Sequence, residues 1–258
     1  HGVAERDGSA FLLLEDIHAS ANNPWENALD MTALAVELPR KTKAGACWVF
    51  MDACQELLEN VIRQTDGLAG WKLVTTNVVQ AANTRVRSAS LAAAKFGKLA
   101  TAPNDGGVAF FTDALLDALE NCCVERTDGG AWATSAKEVL AGVKKVAHIW
   151  HGQVTVDPEP LSIFNDELFF LPVPDPKIPV MVTSVPEILI ARSSVKVIKA
   201  DSGQEVVLEE HDNGQMNSKR FRVPIDENYI VVVGDPPDTI EKPFFTKPPA
   251  VPVTIRGL

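Results

Sequence analysis

The stretch Cys47–Gln55 constrains the fold of this chain more than any other. It opens on Trp48–Phe50, a continuous apolar run of the kind that a parallel strand shows when both of its faces are covered. An acid and a thiol follow, Asp52 and Cys54, and the apolar residues of 56–62 then return at helical spacing. Because open α/β sheets place their active sites at the carboxyl ends of strands, this order predicts a functional thiol at Cys54.

A second interpretation of Cys54 stays open on the residues alone. A thiol near the first turn of a helix is favoured as the thiolate by the helix dipole, and that suits a nucleophile. Cysteine is equally a small apolar residue that packs in protein interiors without any reactive role.

Composition and charge limit the function classes that suit the chain. It has 258 residues, enough for one large domain or for a medium domain with a small one. A net charge of -10 argues against direct contact with nucleic acid. No apolar run approaches the roughly 20 residues of a membrane helix, and no signal peptide opens the chain. We therefore expect a cytoplasmic protein that contacts no membrane.

The four cysteines have neither the pattern of a disulfide framework nor the spacing of a zinc site. Cys122 and Cys123 are adjacent, and we expect all four thiols to be reduced. The sequence also lacks the glycine-rich patterns that hold dinucleotides or phosphates. We therefore expect neither a metal nor a cofactor.

Strands and helices alternate in the first part of the sequence. The predicted elements are a strand at 11–14, a helix capped by Asp30, the strand at 47–51, a helix at 56–64 and a strand at 71–76. This β-α-β-α-β order predicts a mainly parallel sheet with helices on both faces. Residues 77–108 are irregular and rich in basic and small residues, as a mobile loop is.

Two helices and a change of composition follow. Thr112 is a candidate N-cap for the first helix, and the capping box Ser135–Glu138 opens the second. The composition then predicts four parts: a domain at 1–171, a proline-rich linker at 172–179, a small β-sandwich at 180–237, and a proline-rich arm at 238–258.

A nucleophilic cysteine needs an imidazole as its partner, and the chain has five histidines. His211 falls in a hairpin turn, His148 ends a helix and His18 follows the first strand. His1 and His151, each followed by glycine, are the two serious candidates.

A His-Gly pair at His1, followed in order by a hydrophobic strand that ends in Asp52-Ala53-Cys54, resembles the caspase, metacaspase and CHAT group of peptidases, in its bacterial type. The separation between His1 and Cys54 is similar to that of the catalytic His and Cys in this family. Residues 106–116 resemble the segment that enters the last large helix of such domains. The resemblance covers residues 1–171 and implies a caspase-like three-layer α/β sandwich, followed here by the all-β sandwich.

The resemblance also implies the roles of residues. Cys54 attacks the scissile carbonyl, His1 moves the proton, and the backbone N–H groups of Gly2 and Cys54 form the oxyanion hole. The family fold has strands and a helix before its catalytic His, so part of the domain is expected upstream of His1. A protein or peptide is the expected substrate, and a regulatory protein or the upstream region is the expected partner.

Asp52 governs the predicted specificity. Caspases cut after acidic residues, whereas metacaspases cut after Arg or Lys and use the acid two residues before their cysteine. This chain has Asp52 at that position, and Gln55 where many caspases have Arg. An acid in a partly desolvated pocket selects a cation, so cleavage after Arg or Lys is expected, with Asp16 or Glu15 as a weaker second acid. Asp52 alone is equally suited to capping the helix that follows.

Two other functions remain open. Cys54 with His151 would form a cysteine hydrolase in the papain-like order, with His1 dispensable. Alternatively, the chain is an inactive caspase-like module that binds a partner. The basic segment after the catalytic strand is also a candidate site of self-cleavage, although a solvated basic loop has the same composition.

Overall fold

A computed structural model of the chain describes residues 2–4, 10–13, 28–41, 46–55, 87–152, 156–161, 169–185, 190, 193–206, 218–235 and 237–256. The chain divides into two compact units. Unit 1 comprises residues 1–112 and 155–168, and unit 2 comprises residues 113–154 and 169–258.

The described residues form short strands and three α-helices. The helices are α1 (Met31–Lys41), α2 (Phe110–Asp117) and α3 (Ala136–His151), and a π-helical turn over Ala118–Cys122 continues α2. The strands are β1 (Gly2–Ala4), β2 (Ala10–Leu13), β3 (Ala28–Asp30), β4 (Ala46–Met51), β5 (Arg87–Ala92), β6 (Val124–Arg126), β7 (Trp132–Ser135), β8 (Glu159–Pro160), β9 (Phe169–Pro172), β10 (Lys177–Val185), β11 (Val195–Lys199), β12 (Ser218–Pro224), β13 (Asn228–Val233), β14 (Ile240–Phe245) and β15 (Val251–Arg256).

Two small sheets build the described part of unit 1. The first is antiparallel, in the order β1-β2-β3. The second has the order β4-β5-β8, in which β4 and β5 run parallel and β8 is antiparallel to β5. The core between these elements is made of small and medium side chains, and its buried members are Ala10, Met31, Ala35, Val49, Met51, Ala53 and Ala92. Ala53 belongs to this core, so packing holds the residue directly before the candidate thiol in place.

Helix α1 follows β3 without a loop because Asp30 serves both elements. Asp30 pairs with Phe11 in the sheet, and its carboxylate accepts a hydrogen bond from the Ala33 N–H at 2.7 Å. This satisfies one of the free N–H groups of the first helical turn. The cap predicted at Asp30 is confirmed.

Three sheets of three strands build the described part of unit 2. They have the orders β6-β7-β9, β12-β10-β15 and β11-β13-β14, and the only parallel pairing among these described strands is β10 with β15. Helix α3 begins at the predicted cap, where the Ser135 hydroxyl accepts from the Glu138 N–H at 3.2 Å. The Ser135 N–H itself donates to the Cys123 carbonyl, so only half of a capping box forms among these contacts.

A buried polar cluster joins the helices of unit 2 to β12. The carboxylate of Asp117 accepts from the Trp150 indole at 2.5 Å and pairs with Arg222 at 3.0 Å. The Arg222 guanidinium also lies 5.1 Å from the centre of the Trp150 ring. A buried carboxylate needs such partners, because an uncompensated charge in the interior is costly.

The predicted fold class is wrong. In the part of the chain that the structure describes, 43% of residues are in strands and 23% in helices, and the five sheets show no three-layer α/β sandwich with a mainly parallel sheet. Only residues 5–9 separate β1 from β2, and that connection is too short for the helical crossover that parallel strands need. The predicted helix at 56–64 and strand at 71–76 lie outside the described residues.

Several segments differ from their predicted conformation. Residues 87–92, in the stretch interpreted as a mobile loop, form β5. The proline-rich arm contributes β14 and β15, which pair with β13 and β10. The domain boundaries at 171, 179 and 237 stay predictions. None of the described helices has the length and apolar character needed to cross a bilayer.

Candidate functional site

Cys54 lies just beyond the carboxyl end of β4, where the sequence predicts it. Strand β4 ends at Met51 and is paired in parallel with β5, which ends at Ala92. Both strands therefore finish at the same edge of their sheet. Ala53 is buried in the core, whereas Cys54 is half-buried, so its thiol lies at the boundary between core and solvent.

The loop after β5 folds back over the residues after β4. The Ala93 N–H donates to the Met51 carbonyl at 2.9 Å, and the Gln55 N–H donates to the Lys98 carbonyl at 2.9 Å. In return, the Gly97 N–H donates to the Gln55 carbonyl at 2.8 Å. These backbone bonds fix the path of residues 93–98 alongside the thiol segment.

The thiol of Cys54 contacts one residue of this loop through two backbone groups. The Ala100 N–H donates to Cys54 Sγ at 3.4 Å, and the Ala100 carbonyl lies 3.8 Å from the same sulfur. An N–H donor stabilises a thiolate, whereas a carbonyl accepts the proton of a neutral thiol. This pair of groups can therefore serve the sulfur in either protonation state.

Gly2 lies against the backbone of Cys54. A Cβ atom at position 2 would overlap the Cys54 carbonyl oxygen and come within 2.8 Å of the Ala53 Cβ. Only glycine allows two backbones to approach this closely. The structure therefore brings together two of the residues predicted for the oxyanion hole, Gly2 and Cys54.

Asp52 is exposed at the same end of β4. Its carboxylate accepts a short hydrogen bond from the hydroxyl of Thr112, in the first turn of α2. Thr112 was predicted as the N-cap of this helix, but the helix begins two residues earlier, at Phe110. Its hydroxyl instead orients the acid that the sequence assigns to the specificity pocket.

The remaining predicted residues are less informative. His1, Asp16, Glu15, His18 and His211 lie outside the described residues. His151 ends α3, and its Nε2 lies 2.9 Å from the Asp113 carboxylate.

His148 is bonded to its own helix end. Its Nδ1–H donates to the Gly152 carbonyl at 3.0 Å, and the Gly152 N–H donates to the His148 carbonyl at 3.0 Å. This is the C-terminal structural role expected of it.

The other thiols differ from Cys54 in burial. All four cysteines are free, and Cys122 and Cys123 are fully buried. Burial raises the pKa of the Cys122 thiol well above its usual range and also raises the pKa of Cys47. Both are therefore poor nucleophiles at neutral pH. Among the described residues, no group of His, Cys, Asp and Glu side chains is arranged to hold a metal ion.

Sequence reasoning missed two parts of this site. Ala100 acts through its backbone, and no side chain marks a residue that does so. Gln55 was noted only as a substitution for Arg, yet it is buried and its amide donates to the Ala94 carbonyl at 2.5 Å. The only sequence signal for this role was a polar residue directly after the candidate nucleophile. If such an amide is buried, it must have hydrogen-bond partners nearby.

Comparison with known proteins gives little functional information. No protein-family model matches the chain. It is 32% identical over 146 residues to an uncharacterized protein, y4kE, of Sinorhizobium fredii (strain NBRC 101917 / NGR234). The match covers 56% of this chain and 40% of that protein, so the chain spans less than half the length of this relative.

Proposed function

We propose that the chain is a cysteine endopeptidase in which Cys54 is the nucleophile and His1 is the general base and acid. One observation carries the proposal: Gly2 lies against the backbone of Cys54, with no room for a side chain between them. Gly2 directly follows His1 in the sequence, and for this reason the proposal assigns the imidazole to His1. Gly2 of the His-Gly pair and Ala53 and Cys54 of the Asp-Ala-Cys motif thus belong to neighbouring backbone segments.

The proposed reaction needs only groups of this chain and water. His1 takes the thiol proton, the Cys54 thiolate attacks the scissile carbonyl carbon, and the carbon–nitrogen bond breaks as His1 protonates the leaving amine. Water then hydrolyses the thioester and releases the carboxylate. The N–H groups of Gly2 and Cys54 would stabilise the oxyanion, and each such donor typically lowers the barrier by about 3 kcal/mol.

Asp52 supports a preference for Arg or Lys before the cleaved bond. It is exposed two residues before the thiol, and its hydrogen bond from Thr112 limits the directions in which the carboxylate can point. An anion held in this way attracts a cationic side chain and repels an acidic one. Asp16 remains the proposed second acid, and the substrate remains a protein or peptide of unknown identity.

The catalytic assignment is tested with fluorogenic peptides that carry Arg, Lys, Asp or Ala before the cut. We expect the purified protein to cleave the Arg and Lys peptides, and we expect Cys54→Ala and His1→Ala each to abolish cleavage. Each variant removes a group that makes or breaks a bond, so the rate should fall at least about a thousandfold. Initial rates at equal protein concentration provide the comparison.

Two controls make the assignment specific. Cys47→Ala removes a half-buried thiol that the mechanism does not use, and it should cleave at the wild-type rate. Loss of cleavage in His151→Ala but not in His1→Ala would instead support the papain-like order. If no peptide is cut and an electrophilic arginyl peptide fails to label Cys54, the peptidase proposal is wrong.

The pocket assignment has its own test, Asp52→Asn. The amide keeps an oxygen for the Thr112 hydroxyl but loses the charge, and a hydrogen bond to a charged group is worth about 1.5–3 kcal/mol. We therefore expect kcat/KM for the Arg peptide to fall at least about tenfold, with little change for the Ala peptide. An equal fall for both peptides would assign Asp52 to the structure of the thiol segment.

A further inference from the structure

All of the described hydrogen bonds of Gln55 are made with one loop, the loop that follows β5. Its side-chain amide donates to the Ala94 carbonyl at 2.5 Å, its N–H donates to the Lys98 carbonyl, and its carbonyl accepts from the Gly97 N–H. The side chain is only 3% exposed. One residue therefore restrains the loop beside the thiol at three positions, Ala94, Gly97 and Lys98.

The same loop carries the donor that reaches the sulfur. Ala100 lies two residues beyond Lys98, and its N–H is 3.4 Å from Cys54 Sγ. The two side chains that directly precede Ala100, those of Lys98 and Leu99, are exposed, so side-chain packing does little to hold this part of the loop. The described backbone bonds on either side of Ala100 are that of the Gln55 N–H to the Lys98 carbonyl and that of the Phe110 N–H to the Thr101 carbonyl at 3.4 Å. The Gln55 amide adds a side-chain bond to Ala94, near the start of the same loop.

We propose that Gln55 is a positioning residue for the nucleophile: it holds the loop so that the Ala100 N–H stays on the sulfur and stabilises the attacking thiolate. The inference rests on the proposed function in taking Cys54 as the reactive thiol. It explains why a buried polar residue follows the thiol directly, where an apolar side chain would fill the space without restraining the loop.

The test compares Gln55→Met with the wild-type protein by iodoacetamide alkylation, and mass spectrometry assigns the modified residue. Methionine keeps the approximate volume but cannot donate to Ala94. Loss of one hydrogen bond to a charged sulfur changes the thiolate fraction about tenfold, and the greater intrinsic nucleophilicity of a less stabilised thiolate offsets part of this. We expect Cys54 alkylation near neutral pH to slow about threefold and its pH–rate profile to move up by about one pH unit.

Cys47 is an internal reference in the same samples. A substitution that merely loosens the fold should speed alkylation of both half-buried thiols, whereas loss of the Ala100 contact slows Cys54 alone. The described charged residues of the two packed segments, Asp52, Lys95 and Lys98, are all exposed and are unchanged in the variant.

Thr134→Val is the matched control for stability. It also removes one buried bond from a side chain to a backbone carbonyl, that of Thr134 to Leu119, but in unit 2. It should lower the thermal midpoint without changing alkylation of Cys54. Gln55→Asn, whose amide is one methylene too short to reach Ala94, provides a second measurement if Gln55→Met is poorly folded.

Peptide cleavage supplies an independent measurement. If the peptidase proposal holds, Gln55→Met should lower kcat about threefold, as for alkylation, and leave KM unchanged, because the contact acts on the nucleophile and not on the substrate. Unchanged or faster alkylation of Cys54 in both Gln55 variants would overturn the inference. Since alkylation needs no peptidase activity, it can show whether Gln55 positions the nucleophile even if the peptidase proposal is wrong.

Discussion

At the scale of single residues, the candidate site depends on one glycine and on backbone groups. Gly2 allows β1 to approach the segment after β4 until its backbone touches that of Cys54. The thiol of Cys54 accepts a hydrogen bond from the backbone N–H of Ala100, which lies in the loop after β5. Neither Gly2 nor Ala100 contributes a functional group from its side chain, although both lie next to Cys54.

Gly2→Ala tests this close approach. The added methyl group would overlap the Cys54 carbonyl, so β1 or the thiol segment must move, and such overpacking typically costs about 1–3 kcal/mol. We expect a lower thermal midpoint and at least a tenfold loss of cleavage of the Arg peptide. Thermal unfolding and initial rates measure the two effects.

Gly129→Ala is the matched control for this substitution. Gly129 is exposed in unit 2, and the nearest atom to an added Cβ would be the Thr127 hydroxyl at 3.9 Å. This variant should retain the stability and activity of the wild-type protein. If Gly2→Ala behaves in the same way, the close approach has no functional importance.

The position of the candidate nucleophile could be predicted, but its surroundings could not. An apolar run ending in Asp52-Ala53-Cys54 marks the end of a buried strand, and β4 ends there. The roles of Gln55 and Ala100 depend on a loop more than 30 residues further along the chain. Contacts of this kind leave no local pattern, because hydrogen bonds to backbone groups put little restriction on the residue type.

At the scale of elements, the sequence predicted helix starts correctly where a side chain bonds to the backbone of a residue close by in the chain. The caps at Asp30 and Ser135 are read directly from a side-chain oxygen placed before an apolar helical pattern. Strands β11 and β13 were likewise predicted, because β-branched residues dominate them.

The missed strands have unusual compositions for their conformation. Strand β5 is Arg-Ser-Ala-Ser-Leu-Ala, and Ala and Ser have little intrinsic preference for strands. It forms because β4 pairs with its backbone and because five of its six residues, Ser88–Ala92, are buried, and both conditions depend on residues distant in the sequence. Strands β14 and β15 contain Pro243 and Pro252, which suggested an extended arm. Both strands lie at the edges of their sheets, where proline is tolerated.

At the scale of the whole molecule, the prediction of an α/β fold failed because it inferred a whole parallel sheet from a pattern that indicated one parallel pair of strands. Strands β4 and β5 are parallel, as the Cys47 stretch indicated, but β8 joins them in the opposite direction. Hydrophobic pattern and order do not specify which strands pair, since pairing depends on contacts between distant residues. The caspase-like arrangement of the sheets is therefore wrong, and the roles that the resemblance implies for single residues stay a proposal.

The response of the whole molecule to acid gives a final prediction, because two described glutamates have opposite shifts. Hydrogen bonds from Lys199 and then Tyr229 lower the pKa of Glu227 below its usual value of 4.5. Burial raises the pKa of Glu138 above the same value. Ionised Glu227 thus stabilises the folded chain above pH 4.5, and this stability is lost as the pH falls through its lowered pKa. Ionised Glu138 opposes folding, and acid removes that cost.

Glu227→Gln and Glu138→Gln separate these two effects. Glu227→Gln should unfold at lower urea concentration than the wild type at neutral pH, with the difference shrinking as the pH falls well below 4.5. Glu138→Gln should be slightly more stable at neutral pH and equal to the wild type below 4.5, because the folded state already favours the neutral form of this side chain. Urea midpoints from tryptophan fluorescence across this pH range measure both differences. Both glutamates lie in unit 2, so a change in the same direction for both variants would mean that charge in general, and not these particular partners, sets the acid response.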